Sequence, residues 1–242
     1  MGSPHTPRCR NLSRLETVGD VTAHIQLVRR IRGAPRGLVK RLSFRWGPLA
    51  MSAIRKRWVK LRNPHATVVF GKHCFLGPGF SLHAPDGGTF IAGRGVEFRR
   101  NFRAEITGNG RIVIGDWSYL TYNVLIACST AIEIGERCGV GYCSQVYDGN
   151  HRYRDLSKPF LDQGYEFRSI RIEDGAQIHS LCTIINSIGE RAVIGANAVV
   201  SRPIPAFTLA VGTPARPIDY FGPADARPDG VPMRSQAAET SS

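Results

Sequence analysis

The chain has 242 residues, of which 42% are hydrophobic and 21% charged, and this length is sufficient for one large domain with its own core. No run of 18 or more apolar residues occurs and the N-terminus lacks the apolar stretch of a secretory signal, so we expect neither a membrane span nor a leader. Residues 1–65 hold 15 Lys and Arg against Glu16 and Asp20, whereas residues 66–242 are neutral. The net charge of +13 therefore belongs to a basic N-terminal arm.

The basic arm has a helical pattern over residues 24–62. Apolar residues recur at steps of three or four with Lys and Arg between them, and Gly47–Pro48 predicts a break into two helices. The apolar positions are Leu38, Leu42, Trp46, Leu49, Ala50, Ile54, Trp58 and Leu61. Two roles stay open: a cap over the fold that follows, with the apolar faces buried, or contact with an anionic membrane surface. A nucleic-acid partner is not expected.

From Thr67 onward, apolar residues recur every six positions. The triplets are Phe70, Leu76 and Leu82; Ile114, Leu120 and Ile126; Ile134, Val140 and Val146; Ile172, Ile178 and Ile184; and Ile188, Ile194 and Val200. A period of six fits neither a helix nor a simple strand. It predicts short strands joined by corners, three to a triangular coil of about 18 residues, with the coils stacked into a parallel prism. The Pro- and Gly-rich residues 84–95 look irregular.

Departures from the period predict where the chain turns or projects. A small residue often follows the apolar one, as in "FGKHCF" and "IGDWSY", and Gly is expected there because a corner calls for positive φ. The repeat stops between Val146 and Ile170, which predicts a projecting loop. The step from Ile184 to Ile188 is four residues rather than six, which predicts one tight corner.

The stretch "IGERAVIGANAVVSRPIPAFTLAVGTPARPI" (188–218) resembles the end of the hexapeptide-repeat acyltransferases. The resemblance extends back through "IGDWSYLTYNVLIACSTAIEIGERCGVGYCSQVYDGNH" (114–151), which is similar to the galactoside and maltose acetyltransferase branch, and it covers residues 67–218. It implies a left-handed parallel β-helix, a homotrimer and an acyl-CoA donor such as acetyl-CoA. The expected fold class is therefore all-β, a left-handed parallel β-helix with an N-terminal basic helical arm.

The predicted organisation follows from these boundaries. Residues 1–65 form the basic, partly helical arm, and residues 66–201 form the β-helix with a projecting loop at 147–169. Residues 202–222 form a C-terminal extension, and residues 223–242 read as a disordered tail. The six cysteines show no C-x-x-C pair and a chain of this size needs no disulfides, so we expect reduced thiols and a cytoplasmic protein, in peripheral contact with the inner membrane if the arm binds lipid.

The projecting loop begins with "YDGNHRYRD" (147–155), and its His151 matches the catalytic histidine of the family. The resemblance implies that this imidazole is the general base that takes the proton of an acceptor hydroxyl. Asn123 matches the family asparagine that contacts this hydroxyl, although an Asn at a coil corner would fit the repeat as well. Asp148 and Asp155 could orient the ring or could be solvated loop carboxylates. A loop of this kind can lean on a neighbouring prism and form a cleft between subunits.

The donor side also follows from the resemblance. The family positions that meet CoA hold small residues, which admit the pantetheine arm, and cations, which suit its phosphates. These positions are Ser180, Ala196, Ser201, Arg202 and Arg216, of which the two arginines could instead be surface charges. In "QIHS" (177–180), Gln177 and His179 stand where the family often has an aromatic residue and a glycine, which predicts a reshaped donor groove.

The first functional hypothesis is an acyl-CoA-dependent O-acyltransferase, by expectation an O-acetyltransferase, that acts on a sugar or cell-surface glycan precursor by direct transfer. Two alternatives stay open: a non-catalytic trimeric β-helical scaffold or binding module, and an N-acyltransferase on a nucleotide-linked amino sugar. A zinc enzyme is not expected, because no two histidines of the repeat have the four-residue spacing that such β-helical enzymes require.

Overall fold

The computed structural model describes residues 38–233. The chain divides into two compact units, residues 1–46 and residues 47–242, and the fold described below is that of the second unit. The predictions for residues 1–37 and 234–242, which include the first part of the arm and the end of the tail, lie outside the described residues.

The described residues form one long helix, two short 3-10 helices and 21 short strands. The helices are α1 (Leu38–Arg62) and the 3-10 turns Phe160–Gln163 and Ala224–Ala226. The strands are β1 (Thr67–Phe70), β2 (Phe75–Leu76), β3 (Ser81–His83), β4 (Thr89–Ala92), β5 (Glu97–Phe98), β6 (Arg103–Ile106), β7 (Arg111–Ile114), β8 (Tyr119–Leu120), β9 (Leu125–Cys128), β10 (Ala131–Ile134), β11 (Gly139–Val140), β12 (Gln145–Tyr147), β13 (Gly149–His151), β14 (Tyr165–Phe167), β15 (Ile170–Ile172), β16 (Gln177–Ile178), β17 (Thr183–Ile184), β18 (Val193–Ile194), β19 (Val199–Val200), β20 (Thr208–Val211) and β21 (Arg216–Tyr220).

The strands build the three faces of a prism, and each of the first five turns of the chain adds one strand to every face; in the last turns single bridges at Ile188 and Ile204 continue the first face. The first face has the order β1-β4-β7-β10-β15, the second β2-β5-β8-β11-β16-β18-β20-β21, and the third β3-β6-β9-β12-β17-β19. Pairing within each face is parallel, as between Thr67 and Thr89, except for the final pair of β20 and β21. The six-residue period was therefore correctly interpreted as a stacked coil.

The interior of the prism is uniformly apolar. Successive coils place Leu76, Phe98, Leu120 and Val140 in register on the second face, and all four side chains are fully buried. In the first two coils the centre is aromatic, and the Phe98 and Phe102 ring centroids are 4.5 Å apart. The stretch 84–95 is not irregular throughout as the sequence suggested, because its second half forms β4 and continues the buried column.

The glycines that follow the apolar positions do not have the expected positive φ. Positive φ falls two residues later, for example at Trp117 with φ 61° after Gly115. Gly115 is required instead by close approach, because a Cβ at that position would lie 2.6 Å from the carbonyl carbon of Gly135 in the next coil. Glycine was therefore correctly expected after the apolar positions, but the expected reason, a positive φ, is wrong.

The number of residues in one turn of the prism varies, and the difference lies mainly at the third corner, which joins the third face to the first. Thr67 pairs with Thr89, so one turn takes 22 residues at the start of the prism. Ile172 bridges to Ile188, so one turn takes 16 residues near its end. The tight corner after Ile184 is present, and the buried Asn186 supports it by donating through Nδ2 to the carbonyl of Ser201 at 3.2 Å.

Helix α1 covers the exposed edge of the first coil mainly through polar side chains, together with the buried Val59. The backbone N–H of Leu76 donates to Ser52 Oγ at 2.9 Å, and Arg55 Nη1 donates to the carbonyl of Leu76 at 3.0 Å. Asn63 accepts from the backbone N–H of Ala84 at 2.9 Å and donates to the carbonyl of Leu82 at 3.1 Å. These contacts satisfy backbone groups that an uncovered coil would leave unpaired.

Helix α1 differs from one prediction and bears on the two roles left open for the arm. The predicted break at Gly47–Pro48 does not occur, because α1 continues through Pro48. The boundary between the two compact units nevertheless lies next to this position. A proline within a helix removes one hydrogen bond and crowds the carbonyl four residues earlier, so Pro48 destabilises the helix without ending it. The apolar positions singled out from the sequence in the second half of α1 are exposed, whereas Val59 is buried against the first coil. These exposed positions are Leu49, Ala50, Ile54, Trp58 and Leu61.

The C-terminal strands close the other end of the prism. β21 folds back antiparallel on β20, and Tyr220 is almost fully buried there. The chain after residue 222, which the sequence predicts to be disordered, is described as far as Met233, and over this stretch the backbone N–H of Tyr220 donates to the carbonyl of Pro232 at 2.8 Å.

Candidate active site

The long interruption of the repeat is a hairpin that leaves the third corner of the fourth coil. Strands β13 and β14 pair antiparallel, with His151 opposite Tyr165. The tip between the strands carries the 3-10 turn Phe160–Gln163, none of whose residues is buried. The prism therefore stays regular while the hairpin projects outward, as the sequence predicted.

His151 lies on the first strand of the hairpin between two aromatic rings. Its ring centroid is 4.2 Å from that of Tyr165 and 4.9 Å from that of Phe160. Its Nδ1 atom is buried and has no hydrogen-bond partner among the described residues. A buried polar atom without a partner is uncommon in folded proteins and calls for an explanation such as a catalytic role or a bound group.

A cleft of about 360 Å³ opens beside this imidazole. Its lining is dominated by charged and hydrogen-bonding side chains, with cations in the majority over carboxylates. The lining residues are His151, Arg152, Tyr153, Arg154, Asp155, Lys158, Gln163 and Glu166. Such a lining suits an anionic or polyhydroxyl ligand better than an apolar one.

Asp148 anchors the base of the hairpin and does not orient His151. Its carboxylate accepts hydrogen bonds from the backbone N–H groups of Ser129 and Thr130 at 2.9 and 2.6 Å, and from Thr130 Oγ1 at 2.9 Å. Its own carbonyl accepts from the backbone N–H of Arg168 at 2.7 Å, where the chain returns to the prism. Burial and the nearby carboxylate together raise the pKa of the Cys128 thiol to about 12.

Asp155 closes a turn within the hairpin. Its carboxylate accepts from the backbone N–H and the hydroxyl of Ser157, and it pairs with Lys158 at 3.6 Å. The hydrogen bonds from Ser157 lower the pKa of Asp155 below its ordinary value. Neither of the two carboxylates considered from sequence is hydrogen-bonded to the histidine, so within the described part of the chain the imidazole has no acidic partner.

Asn123 lies at the second corner of the third coil, in the left-handed region with φ 57°. Its Oδ1 accepts from Nδ2 of Asn101, which occupies the same corner one coil earlier, at 3.0 Å. The side chain is exposed, so it belongs to a corner ladder and still presents its amide to solvent. Within this one chain it lies on a different corner from the hairpin that carries His151.

The five residues expected to contact CoA lie at three different places on the prism. Ser180 and Ala196 occupy the same position of the second corner in successive coils, since the backbone N–H of Asn197 donates to the carbonyl of Ser180. Ser201 and Arg202 are exposed at the third corner, the corner from which the hairpin leaves two coils earlier. Arg216 is exposed at the start of β21, opposite Val211.

The unusual "QIHS" stretch is tied into the second face. Tyr119 Oη donates to Gln177 Oε1 at 2.9 Å, and Gln177 Nε2 donates to the carbonyls of Arg137 and Gly175, each at 3.2 Å. Gln177 therefore links three coils through hydrogen bonds where an aromatic residue would have packed. His179 is exposed at the corner.

Sequence reasoning missed the aromatic partners of the histidine. Tyr165 and Phe167 stack with centroids 5.6 Å apart and form the second strand of the hairpin, and Phe160 approaches from the tip. The alternating aromatics of "YEF" (165–167) are a strand signal that could have indicated the hairpin. Among residues 38–233 no three His, Cys, Asp or Glu side chains form a group suited to a metal, and no helix there is long and apolar enough to cross a membrane.

No family model matches the chain. In sequence it is similar to a probable acetyltransferase of Mycobacterium tuberculosis, 32% identical over 162 residues, which cover 65% of this chain and 52% of that protein. It is also similar to a Schizosaccharomyces pombe protein whose name is likewise a provisional acetyltransferase assignment, 36% identical over 103 residues, which cover 41% of this chain and 48% of the relative. The chain thus spans about half the length of the curated relatives it matches.

In structure the chain is similar to AntD, an N-acyltransferase from Bacillus cereus solved in complex with dTDP and 3-hydroxybutyryl-CoA. The TM-score is 0.56 at 16% identity, and the match covers 68% of this chain and 86% of that chain. This likeness shows the fold, and the predicted class of left-handed parallel β-helix is confirmed. The names of the two sequence relatives support the resemblance to the hexapeptide-repeat acetyltransferases, and the galactoside and maltose branch stays a prediction.

Proposed function

We propose that the protein is an acyl-CoA-dependent acyltransferase, an O-acetyltransferase of a sugar or glycan precursor, with His151 as its general base. The observation that carries this proposal is the buried, unpartnered Nδ1 of His151 beside a cleft lined by Arg152, Arg154 and Lys158. The acetyltransferase names of its relatives in sequence support the class of reaction. The acceptor class rests on the resemblance of residues 114–151 to sugar acetyltransferases.

The proposed reaction is a direct transfer. The acceptor oxygen attacks the thioester carbon, a new C–O bond forms, and the C–S bond to CoA breaks. His151 takes the hydroxyl proton as the oxygen attacks and passes it to the departing thiolate, so no acyl-enzyme is required. Imidazole suits both steps, because it titrates near neutral pH.

The remaining site residues take the roles that the resemblance implies. Asn123 holds the acceptor hydroxyl through its exposed amide. The small residues Ser180, Ala196 and Ser201 leave room for the pantetheine arm. The cations Arg202 and Arg216 meet the phosphates of CoA. Because Asn123 and His151 lie on different corners of one prism, we propose a homotrimer in which neighbouring chains complete each cleft.

The test is release of CoA from acetyl-CoA in the presence of candidate sugars, measured with a thiol reagent. His151→Ala should lower kcat by about 10²- to 10⁴-fold, the usual contribution of a general base. The matched control is His65→Ala, which removes an exposed histidine in the turn between α1 and β1. Equal activity of the two variants would refute the role of His151, and no activity of the wild type with any acyl-CoA would favour the scaffold hypothesis.

A second candidate is transfer to the amine of a nucleotide-linked amino sugar. The fold likeness to an N-acyltransferase that was solved with dTDP supports keeping it. Treatment of the product with hydroxylamine separates the two, because an ester is cleaved and an amide is not. Mass spectrometry of the treated product would assign the acceptor atom.

A further inference from the structure

The second half of α1 exposes a stripe of large apolar side chains. Met51, Ile54, Trp58 and Leu61 are 47%, 57%, 56% and 72% exposed. Their spacing of three, four and three residues places them along one side of the helix. We call these four residues the α1 stripe.

The α1 stripe faces away from the prism because the opposite side of the helix makes the cap. Ser52, Val59 and Asn63 are buried against the first coil, and the hydrogen bonds of Ser52 and Asn63 fix the rotation of the helix about its axis. At 100° per residue, the stripe lies roughly opposite to these three residues. Its exposure is therefore a consequence of the cap and not of a loosely held helix.

Cations border the stripe on both sides. Helix α1 contains eight Lys and Arg and no Asp or Glu. Arg57 lies on one side of the stripe and Arg62 on the other, and both are exposed. The guanidinium of Arg62 lies 5.8 Å from the Trp58 ring centroid, so the aromatic residue and the cation share one surface.

A cleft next to the stripe likewise combines an aromatic side chain with a cation, Trp58 with Arg62. It has a volume of about 300 Å³ and lies between α1 and the first coil. Trp58, Arg62, Asn63 and His83 are among its lining residues. The cleft is large enough for a phosphate group and offers hydrogen-bond donors to it.

We propose that α1 docks the protein on an anionic lipid bilayer, with the α1 stripe at the level of the acyl chains and the flanking cations among the headgroup phosphates. An interfacial helix of this kind has an apolar face with Trp and a face rich in Lys and Arg, and it lies in the plane of the membrane. A second copy of the chain fits less well, because two helices without a carboxylate would repel each other. A nucleic acid would leave the apolar stripe unused.

The experiment is flotation of the full chain with vesicles of phosphatidylcholine and phosphatidylglycerol at a 3:1 ratio, compared with phosphatidylcholine alone. The wild type should bind the anionic vesicles and not the neutral ones. The double variant Ile54→Ser, Trp58→Ser should lower the partition coefficient by tenfold or more, because it removes the centre of the stripe and no buried contact. Its thermal unfolding should match that of the wild type.

The matched control is Leu156→Ser, Leu161→Ser, which removes two apolar residues of the hairpin that are even more exposed than Ile54 and Trp58. This variant should bind as the wild type does. Equal binding by the stripe variant would overturn the proposal, because attraction by the cations alone would then explain the partitioning. A changed oligomeric state of the stripe variant with unchanged vesicle binding would also overturn it, in favour of a contact between copies.

A second measurement reads the depth of Trp58 directly. In a Trp46→Phe, Trp117→Phe background, Trp58 is the one tryptophan of the chain. Lipids brominated in their acyl chains should quench its fluorescence on binding. Binding without quenching would place the stripe outside the bilayer and contradict the proposal. None of these measurements depends on acyl transfer, so failure here leaves the proposed enzyme untouched.

Discussion

The prism and the hairpin of residues 148–169 obey opposite rules although one chain forms both. In the prism every turn buries the same positions, and Phe98, Leu120 and Val140 are fully buried in successive coils. In the hairpin no side chain between Gly149 and Arg168 is buried, and Leu156 is 98% exposed. The difference shows how the fold separates stability from chemistry: the prism supplies a rigid frame, and the one corner that is free to lengthen carries the candidate base.

The largest expected contrast is in stability. Phe98→Ala should lower the free energy of unfolding by about 3–5 kcal/mol, because it opens a cavity in the aromatic centre of the first coils. Leu156→Ala should change it by less than about 0.5 kcal/mol, because the side chain has few contacts to lose. Urea denaturation monitored by circular dichroism measures both. A similar loss for the two variants would mean that the hairpin is packed in the protein in solution.

A smaller effect is expected at the junction of the two regions. Asp148→Ala should lower the free energy of unfolding by about 1–3 kcal/mol, because it removes the acceptor of the partly buried hydrogen bonds from the backbone N–H groups of Ser129 and Thr130. The control is Asp155→Ala, which removes the exposed carboxylate within the hairpin and should leave stability nearly unchanged. Hydrogen exchange at residues 129 and 130 checks the cause: faster exchange in the first variant alone is expected, and unchanged exchange would contradict the anchoring role.

The smallest expected effect is on the pH dependence of stability, through Asp155 in the hairpin. Hydrogen bonds from Ser157 lower the pKa of Asp155 in the folded protein, so this contact stabilises the fold above the unfolded pKa of about 4 and is lost as pH falls through the folded pKa. Ser157→Ala should raise the pKa of Asp155 towards its ordinary value, as measured by NMR titration of the side-chain carboxyl. The variant should be slightly less stable at pH 6 and equal to the wild type at pH 2. A deficit of the same size at both values would show that the serine acts through packing instead.

The sequence by itself determined the repeat, the projecting loop and the tight corner. Each inward residue meets its equivalents one turn earlier and one turn later, so the environment of a position recurs along the chain and leaves its period in the residue types. The same local logic placed His151 in the loop. The expected positive φ was wrong for Gly115. Glycine is required there because the backbone of the next coil lies too close for a Cβ atom.

Only the tertiary structure decided that neither Asp148 nor Asp155 is hydrogen-bonded to His151, and which side of α1 faces outward. Asp148 is held by backbone groups of the preceding coil, a contact across 18 or 19 residues that no spacing indicates. For α1, the amphipathic pattern left open whether the apolar side is buried in a cap or exposed to a membrane surface. The exposed edge of the first coil presents unpaired N–H and C=O groups, so Ser52 and Asn63 face inward to satisfy them, and the apolar stripe remains outside.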